Sequence, residues 1–294
     1  MQDKDCNDVL GDEAKRNSFK KYGRRNVLKT TAGLGMLTLA PSSVTADNGS
    51  SVKEAGVSHE FNQLIDDCKV DKALKLLDEN NVNYTKVTES ISANTEGVST
   101  QDFYDKGSSS VTFYTNEWDK SKNEYAIGLG WTVEGYSNGA SGPAPVDVPV
   151  LAFEDDIFGY VDDSARGTGN VEDHDGGSEV DGKLSIKSEP GNPHEDAPGN
   201  SLIAEFTDDV RDPNLDFYPV GQGVIQMVIR KQNTSSKGIV SGLYTHTWSS
   251  MNVGKLPVLD NLSITIPGTG ISVSVPSGVD KWELPNSTDR DQEI

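Results

Sequence analysis

The stretch YAIGLGWTV, residues 125–133, decides the class of fold. Its bulky residues occupy every second position: Tyr125, Ile127, Leu129, Trp131 and Val133. The positions between them carry small or polar residues: Ala126, Gly128, Gly130 and Thr132. Because side chains of a β-strand point alternately to two faces, the pattern predicts a strand with one bulky and one nearly bare face. A bare face of this kind indicates that another backbone or sheet approaches closely.

The same alternation recurs through most of the chain after residue 81. The nearest partner predicted for the first strand is Val111–Tyr114, joined to it through a polar turn around Trp118–Asn123. Further strands are predicted at Lys183–Ser188, Leu202–Phe206, Val224–Lys231 and Ile239–Trp248, with a last hairpin of Leu262–Ile266 and Ile271–Val275. Loops rich in Gly, Pro and Asp are predicted at residues 135–149, 162–182 and 189–200. Strands separated by such turns predict a mainly β fold, an antiparallel β-sandwich or an open barrel.

A short helical segment precedes these strands. After a capping residue at Ser58, apolar side chains recur at helical spacing: Phe61, Leu64, Ile65 and Cys68. A second apolar stripe follows at residues 73–77, so two short helices or one bent helix both fit. About 25 residues of helix cannot bury a core alone, so we expect the segment to dock on the β-rich part.

The first 46 residues have the layout of an export signal. Arg24 and Arg25 follow a basic stretch, a short apolar segment comes next, and small residues then offer a cleavage site after Ala46. The apolar segment is too short to span a membrane, which takes about 20 apolar residues. This layout resembles the twin-arginine signal, and the resemblance implies that the twin-arginine translocase exports the protein already folded. The alternative is an amphipathic helix with a chance arginine pair. It does not explain why the arginine pair, the apolar segment and the cleavage site follow one another in this order.

These signals divide the chain into five parts: a twin-arginine signal peptide at 1–46, a linker at 47–57, a helical segment at 58–81, a β-rich domain at 82–284 and a polar tail at 285–294. No second long apolar stretch follows the leader, so the mature form is predicted to have no membrane span.

The chain is strongly acidic, with a formal net charge of −20. Removal of residues 1–46 leaves 18 basic and 41 acidic residues, a charge of −23. Such a surface repels nucleic acid and anionic lipid, which excludes both as partners. The composition and leader resemble those of uncharacterised secreted proteins of halophilic archaea, where molar salt shortens the Debye length to about 3 Å and screens this repulsion. The chain departs from that group in having 19 lysines to 7 arginines.

Residues 172–182 come nearest to a metal motif. Acidic side chains alternate with glycines there, which suits Ca²⁺, a cation held by about six to eight oxygen ligands. The candidate ligands are Asp173, Asp175, Glu179 and Asp181. The spacing fails the EF-hand template, because Ser178 and Leu184 stand where that template needs glycine and glutamate. A solvated acidic loop is the favoured interpretation, and no other cofactor is predicted.

A row of large polar side chains on the strand Ile239–Trp248 is the candidate binding surface. Tyr244, His246 and Trp248 project to one face of that strand. Such a row can stack on sugar rings if it faces solvent. It can equally face the core with its hydroxyl and imidazole hydrogen-bonded, and a chain with only 7 % aromatic residues favours the core.

The sequence carries no recognisable catalytic motif. The G-x-S-x-G elbow and the phosphate-binding glycine loop are missing, and both His-Glu pairs lack the second histidine of a zinc-peptidase motif. The leading hypothesis is therefore a non-catalytic secreted module that binds a glycan or protein at the cell surface. The alternatives are a secreted hydrolase with a carboxylate-based site and a secreted antagonist similar to halocins.

We expect the double variant Arg24→Lys, Arg25→Lys to accumulate inside the cell rather than in the medium. Lysine keeps the charge but loses the planar guanidinium fork, so only a receptor that reads arginine itself distinguishes the two. Immunoblots of cells and medium measure the partition. The matched control Lys20→Arg, Lys21→Arg should be exported normally, and equal export of both double variants would contradict the twin-arginine interpretation.

Overall fold

The computed structural model of this protein describes eleven stretches: residues 49–90, 109–134, 146–172, 179–180, 183–194, 197–207, 220–248, 263–265, 271–275, 280–285 and 291–294. Two helices come first, α1 (Ser58–Asp66) and α2 (Val70–Glu79). The described strands are β1 (Tyr84–Ser90), β2 (Ser110–Asp119), β3 (Glu124–Glu134), β4 (Val148–Phe153), β5 (Phe158–Tyr160), β6 (Arg166–Glu172), β7 (Glu179–Val180), β8 (Leu184–Ser188), β9 (Ser201–Phe206), β10 (Val220–Lys231), β11 (Ile239–Trp248), β12 (Ser263–Thr265), β13 (Ser272–Ser274), β14 (Asp280–Leu284) and β15 (Asp291–Glu293).

The strands form two antiparallel sheets and a separate hairpin. Sheet I has the order β1-β2-β3-β10-β6-β7, and β5 also pairs with β10. Sheet II has the order β14-β11-β4-β9-β8, and β15 also pairs with β11. Among the described strands, β12 and β13 pair only with each other. The predicted mainly β fold is confirmed, and of its two forms the chain adopts the two-sheet one.

Four layers stack around three apolar clusters. The largest cluster lies between the sheets and includes Phe113 and Trp131 of sheet I with Tyr244 of sheet II. A second cluster joins the helices to the opposite face of sheet I, and a third joins sheet II to the β12-β13 hairpin. Both faces of the central strands are therefore buried, which explains why β10 is apolar over most of its length.

Strand β3 confirms the alternation predicted for residues 125–133, and its bulky face points between the two sheets. Among the described residues, its bare face is covered by a side chain and a helix rather than by another sheet. The ring of Tyr114 on β2 lies across Gly128, and Val70 of α2 packs over Gly130. The absence of side chains at Gly128 and Gly130 thus makes room for the buried phenol ring of Tyr114 and for helix α2.

The helical segment docks on sheet I, as expected from its length. It forms two helices rather than one bent helix, and Cys68, between them, has a left-handed φ of 57°. Phe61 of α1 contacts Tyr114 edge-on and Trp118 at a tilt, with ring centroids 6.4 and 6.3 Å apart. These contacts place α1 over the second half of β2.

Several strands lie in segments that the sequence assigned to loops or to the tail. Strand β6 falls within the predicted loop 162–182, β4 begins inside the predicted loop 135–149, and β15 falls within the predicted tail. β6 shows no alternation of bulky side chains because the ring of Phe206 fills the space beside Gly169. The Cβ of an alanine at that position would lie 2.9 Å from the ring. The predicted turn around Trp118–Asn123 is shorter than expected, since β2 continues to Asp119.

We expect Gly128→Ala to lower the free energy of unfolding by about 1–3 kcal/mol, the usual cost of overpacking a core. An added Cβ would lie 2.2 Å from Tyr114 Cζ, and Tyr114 cannot swing away because it is fully buried and hydrogen-bonded to Gln226. Denaturation followed by circular dichroism at fixed salt measures the change. Gly199→Ala is the control, since no atom lies within 4 Å of its added Cβ. Equal midpoints for the two variants would contradict the packing described above.

Candidate functional site

Two members of the aromatic row on β11, Tyr244 and His246, lie in the core. Tyr244 is fully buried and His246 is 4 % exposed, so neither can present a flat face to a sugar ring. The structure places both side chains in the core, as in the second of the two alternatives, and not on a solvent-facing surface. The side chain of Trp248 lies outside the described residues.

The row is organised by a carboxylate that sequence reasoning missed. Asp147, fully buried just before β4, accepts hydrogen bonds from the Tyr244 hydroxyl, from His246 Nδ1 at 2.7 Å and from the Thr247 amide at 3.0 Å. Its own amide donates to the carbonyl of Phe206 at 2.9 Å. A buried carboxylate with three donors is well satisfied, so this cluster ties β4, β9 and β11 together.

The other sequence candidates fall largely outside the described residues. Asp173, Asp175 and Asp181 are not described, and Glu179 is placed on β7 without a described side chain. Among the side chains that the structure does describe, no cluster of three or more His, Cys, Asp or Glu could hold a metal ion. Arg24, Arg25 and Ala46 of the leader also lie outside the described stretches.

A cavity of about 210 Å³ opens where the helical segment meets sheet I. It lies beside a seam in that sheet, because β10 pairs with β6 over residues 220–226 and with β5 over residues 229–231. Gln226, Val228 and Arg230 alternate along β10 and share the face that lines the cavity. The other walls come from Lys53, Asn62, Trp118, Lys122, Glu124, Val161, Ser164 and Arg166. We call this cavity the cationic cleft, since four of its residues are lysine or arginine.

Backbone pairing positions the walls of the cationic cleft. The segment before α1 runs beside the end of β2, where the Lys53 amide donates to the Trp118 carbonyl at 3.1 Å. On the opposite side, the Ser164 hydroxyl accepts from the Val228 amide at 3.0 Å and holds the loop after β5 against β10. Two separate parts of the chain are therefore fixed to sheet I around one opening.

The buried carboxylate of the cleft is Glu124, whose side chain is 3 % exposed. Arg230 Nη2 donates to its Oε1 at 2.6 Å, and Lys53 Nζ lies 3.5 Å from its Oε2. Lys53 also pairs with Asp119 at 3.2 Å. The Ser121 hydroxyl donates to Asp119 and, with help from the nearby lysines, holds the pKa of that carboxyl below its usual value. Asp119 is therefore charged over the neutral range, and the two carboxylates organise the cations around them.

Two polar atoms in the cleft walls are buried and have no hydrogen-bond partner among the described residues, Asn62 Oδ1 and Arg166 Nε. Arg166 uses its Nη1 to pair with Asp66 at 3.5 Å, which links β6 to the end of α1. An unpaired buried polar group costs about 1–3 kcal/mol, so such groups usually have a ligand or ordered water as partner.

The sequence offers only a faint signal for the cleft. Its residues are spread from Lys53 to Arg230 and meet only through the pairing of β3, β10 and β6. One usable signal is the scarcity of arginine, because both arginines whose side chains the structure describes, Arg166 and Arg230, line this cavity.

No family model matches this chain, and no curated protein matches it by sequence. Among solved structures it is similar to the C-terminal domain of the Streptococcus pyogenes antigen I/II-family protein AspA, with 13 % identity over 49 % of this chain and 51 % of that one at a TM-score of 0.27. The full-length RrgB pilus protein of Streptococcus pneumoniae matches with 6 % identity over 60 % of this chain and 33 % of that one at a TM-score of 0.26. The collagen-binding domain of the Erysipelothrix rhusiopathiae surface protein RspB matches with 10 % identity over 63 % and 65 % at a TM-score of 0.22.

This chain thus spans about half the length of the first of these domains. Similarities this low establish neither a shared fold nor a shared function. In the part of the chain that the structure describes, no helix is both long and apolar enough to cross a membrane.

We expect Asp147→Ala to lower the free energy of unfolding by about 3 kcal/mol or more, because it leaves the Tyr244 hydroxyl, the His246 imidazole and the Thr247 amide buried without their acceptor. Equilibrium denaturation measures the loss. Asp156→Ala removes an exposed carboxylate from the turn before β5 and should stay within about 0.5 kcal/mol of the parent. Similar losses for both variants would show that Asp147 is not a structural tie.

Proposed function

We propose that this protein is exported and acts outside the cell as a non-catalytic binding module. The observation that carries the proposal is the cationic cleft, a concave opening with four cations in a chain whose net charge is −20. Ligand sites are typically concave and combine apolar walls with a few converging polar groups. The cleft has this composition, with Trp118 and Val228 beside Asn62 and Arg166.

The charge of the cleft supports recognition rather than stability alone. Arg230 and Lys53 neutralise the buried carboxylate of Glu124, which folding requires. Exposed ion pairs contribute only about 0–1 kcal/mol each, so stability does not require Lys122 and Arg166 beside them. Arg230 and Lys122 are 51 % and 56 % exposed, and their charges are therefore available to a bound molecule. The acidic remainder of the surface would repel an anion and leave the cleft as the attractive region.

The hydrolase alternative finds its nearest support in the Asp147–His246 pair, which has the residue types of an acid–base site. The side chains of these two residues are 0 % and 5 % exposed, and their hydrogen bonds join core strands. A substrate cannot reach them without opening the sandwich. The geometry of the cleft therefore favours binding over hydrolysis, and no described contact favours the antagonist alternative.

We expect the purified protein to bind saturably to envelopes isolated from the cells that produce it. Co-sedimentation at molar salt measures the bound fraction, and competition by unlabelled protein separates specific from non-specific retention. An unrelated exported protein of similar net charge serves as the control, because it tests whether acidity alone causes retention. Absence of saturable binding, or equal binding of the control, would overturn the proposed function.

A further inference from the structure

We propose that the cationic cleft binds a hydroxylated monoanion, such as a uronic acid residue of a glycan. The inference rests on the proposed function and adds the chemistry of the ligand to it. Three independent features lead to it, namely the balance of charges, the two unpartnered polar atoms and the apolar walls.

The balance of charges leaves room for one negative charge. The cations of the cleft are Lys53, Lys122, Arg166 and Arg230. Their carboxylate partners within 4.0 Å are Asp66, Asp119 and Glu124. Four positive and three negative charges leave one positive charge unmatched. A monoanion neutralises the site, whereas a phosphate ester, with a charge near −2 at pH 7, would overcompensate it.

The unpartnered atoms require an acceptor and a donor in the same ligand. Arg166 pairs through Nη1 with Asp66, so its Nε edge remains for an anionic acceptor. Guanidinium groups bind carboxylates through two parallel N–H groups, which suits this edge. Asn62 Oδ1 needs a donor, and a hydroxyl supplies one. Sugar acids and sulfated sugars carry both groups.

The size and walls of the cleft fit one sugar ring. A volume of about 210 Å³ admits a monosaccharide but not a folded peptide. Trp118, Val161 and Val228 provide apolar surface for the C–H face of such a ring, and the polar groups lie around them. An inorganic anion would fill only the charged end and leave Asn62 without a donor.

Isothermal titration calorimetry on the purified protein at fixed salt tests the proposal with glucuronate, glucose 6-sulfate, glucose 6-phosphate and glucose. We expect both monoanions, glucuronate and glucose 6-sulfate, to bind. Their relative affinities show whether the cleft prefers a carboxylate or a sulfate ester. Glucose should bind at least about tenfold more weakly, since a hydrogen bond to a charged group contributes about 1.5–3 kcal/mol. Equal binding of glucose, tighter binding of the phosphate ester, or no binding of any sugar would overturn the proposal.

The variant Arg166→Gln should weaken glucuronate binding about tenfold or more. It leaves only Asp66, a 60 % exposed carboxylate, without its partner, so folding should persist. Lys75→Gln is the matched control, because it also removes a cation paired with an exposed carboxylate, Glu79, but lies away from the cleft. Asn62→Ala should weaken glucuronate binding about twofold to tenfold and leave acetate binding unchanged.

Equal binding by Arg166→Gln and Lys75→Gln would place the ligand elsewhere and overturn the assignment. The two proposals fail separately. Envelope binding without glucuronate binding would reject the ligand chemistry alone, whereas glucuronate binding without envelope binding would reject the proposed surface function alone.

Discussion

The packing of the helical segment on the small-residue face of β3 is the contact on which the rest of the structure depends. Gly128 and Gly130 leave space for the Tyr114 ring and for Val70 of α2. Burial raises the pKa of the Tyr114 hydroxyl well above its usual value, which keeps it protonated as a donor to Gln226. A bulkier residue at either glycine would lift the helices from sheet I. The cationic cleft would then lose the wall that carries Asn62.

The two faces of sheet I therefore have different roles. The face toward sheet II is closed by large apolar side chains and by the Asp147 cluster, which ties strands of sheet II together. The face toward the helices contains apolar packing beside polar groups that lack partners, including Asn62 and Arg166. Natural interiors satisfy nearly all buried polar groups, so a ligand that pairs with Asn62 and Arg166 would add stabilising contacts to the cleft.

The sequence predicted the elements whose side chains alternate in size, because that alternation directly reflects two-sided packing. Strand β3 and its neighbours are examples. Strand β6 was missed because Gly167 and Gly169 carry no side chain there, and the space is filled by residues from other strands. The cleft was missed for a different reason. Lys53, Glu124 and Arg230 become neighbours only through strand pairing that is distant in sequence, and no local pattern encodes it.

The most direct measurement is a crystal structure of the protein grown with glucuronate. We expect the carboxylate to lie within hydrogen-bond distance of Arg166, with a sugar hydroxyl against Asn62 Oδ1 and the ring beside Trp118. Helix α1 should stay packed on Tyr114, since the cleft exists only in that arrangement. A ligand bound elsewhere, or α1 lifted from sheet I so that Asn62 no longer lines the cavity, would contradict the central claim.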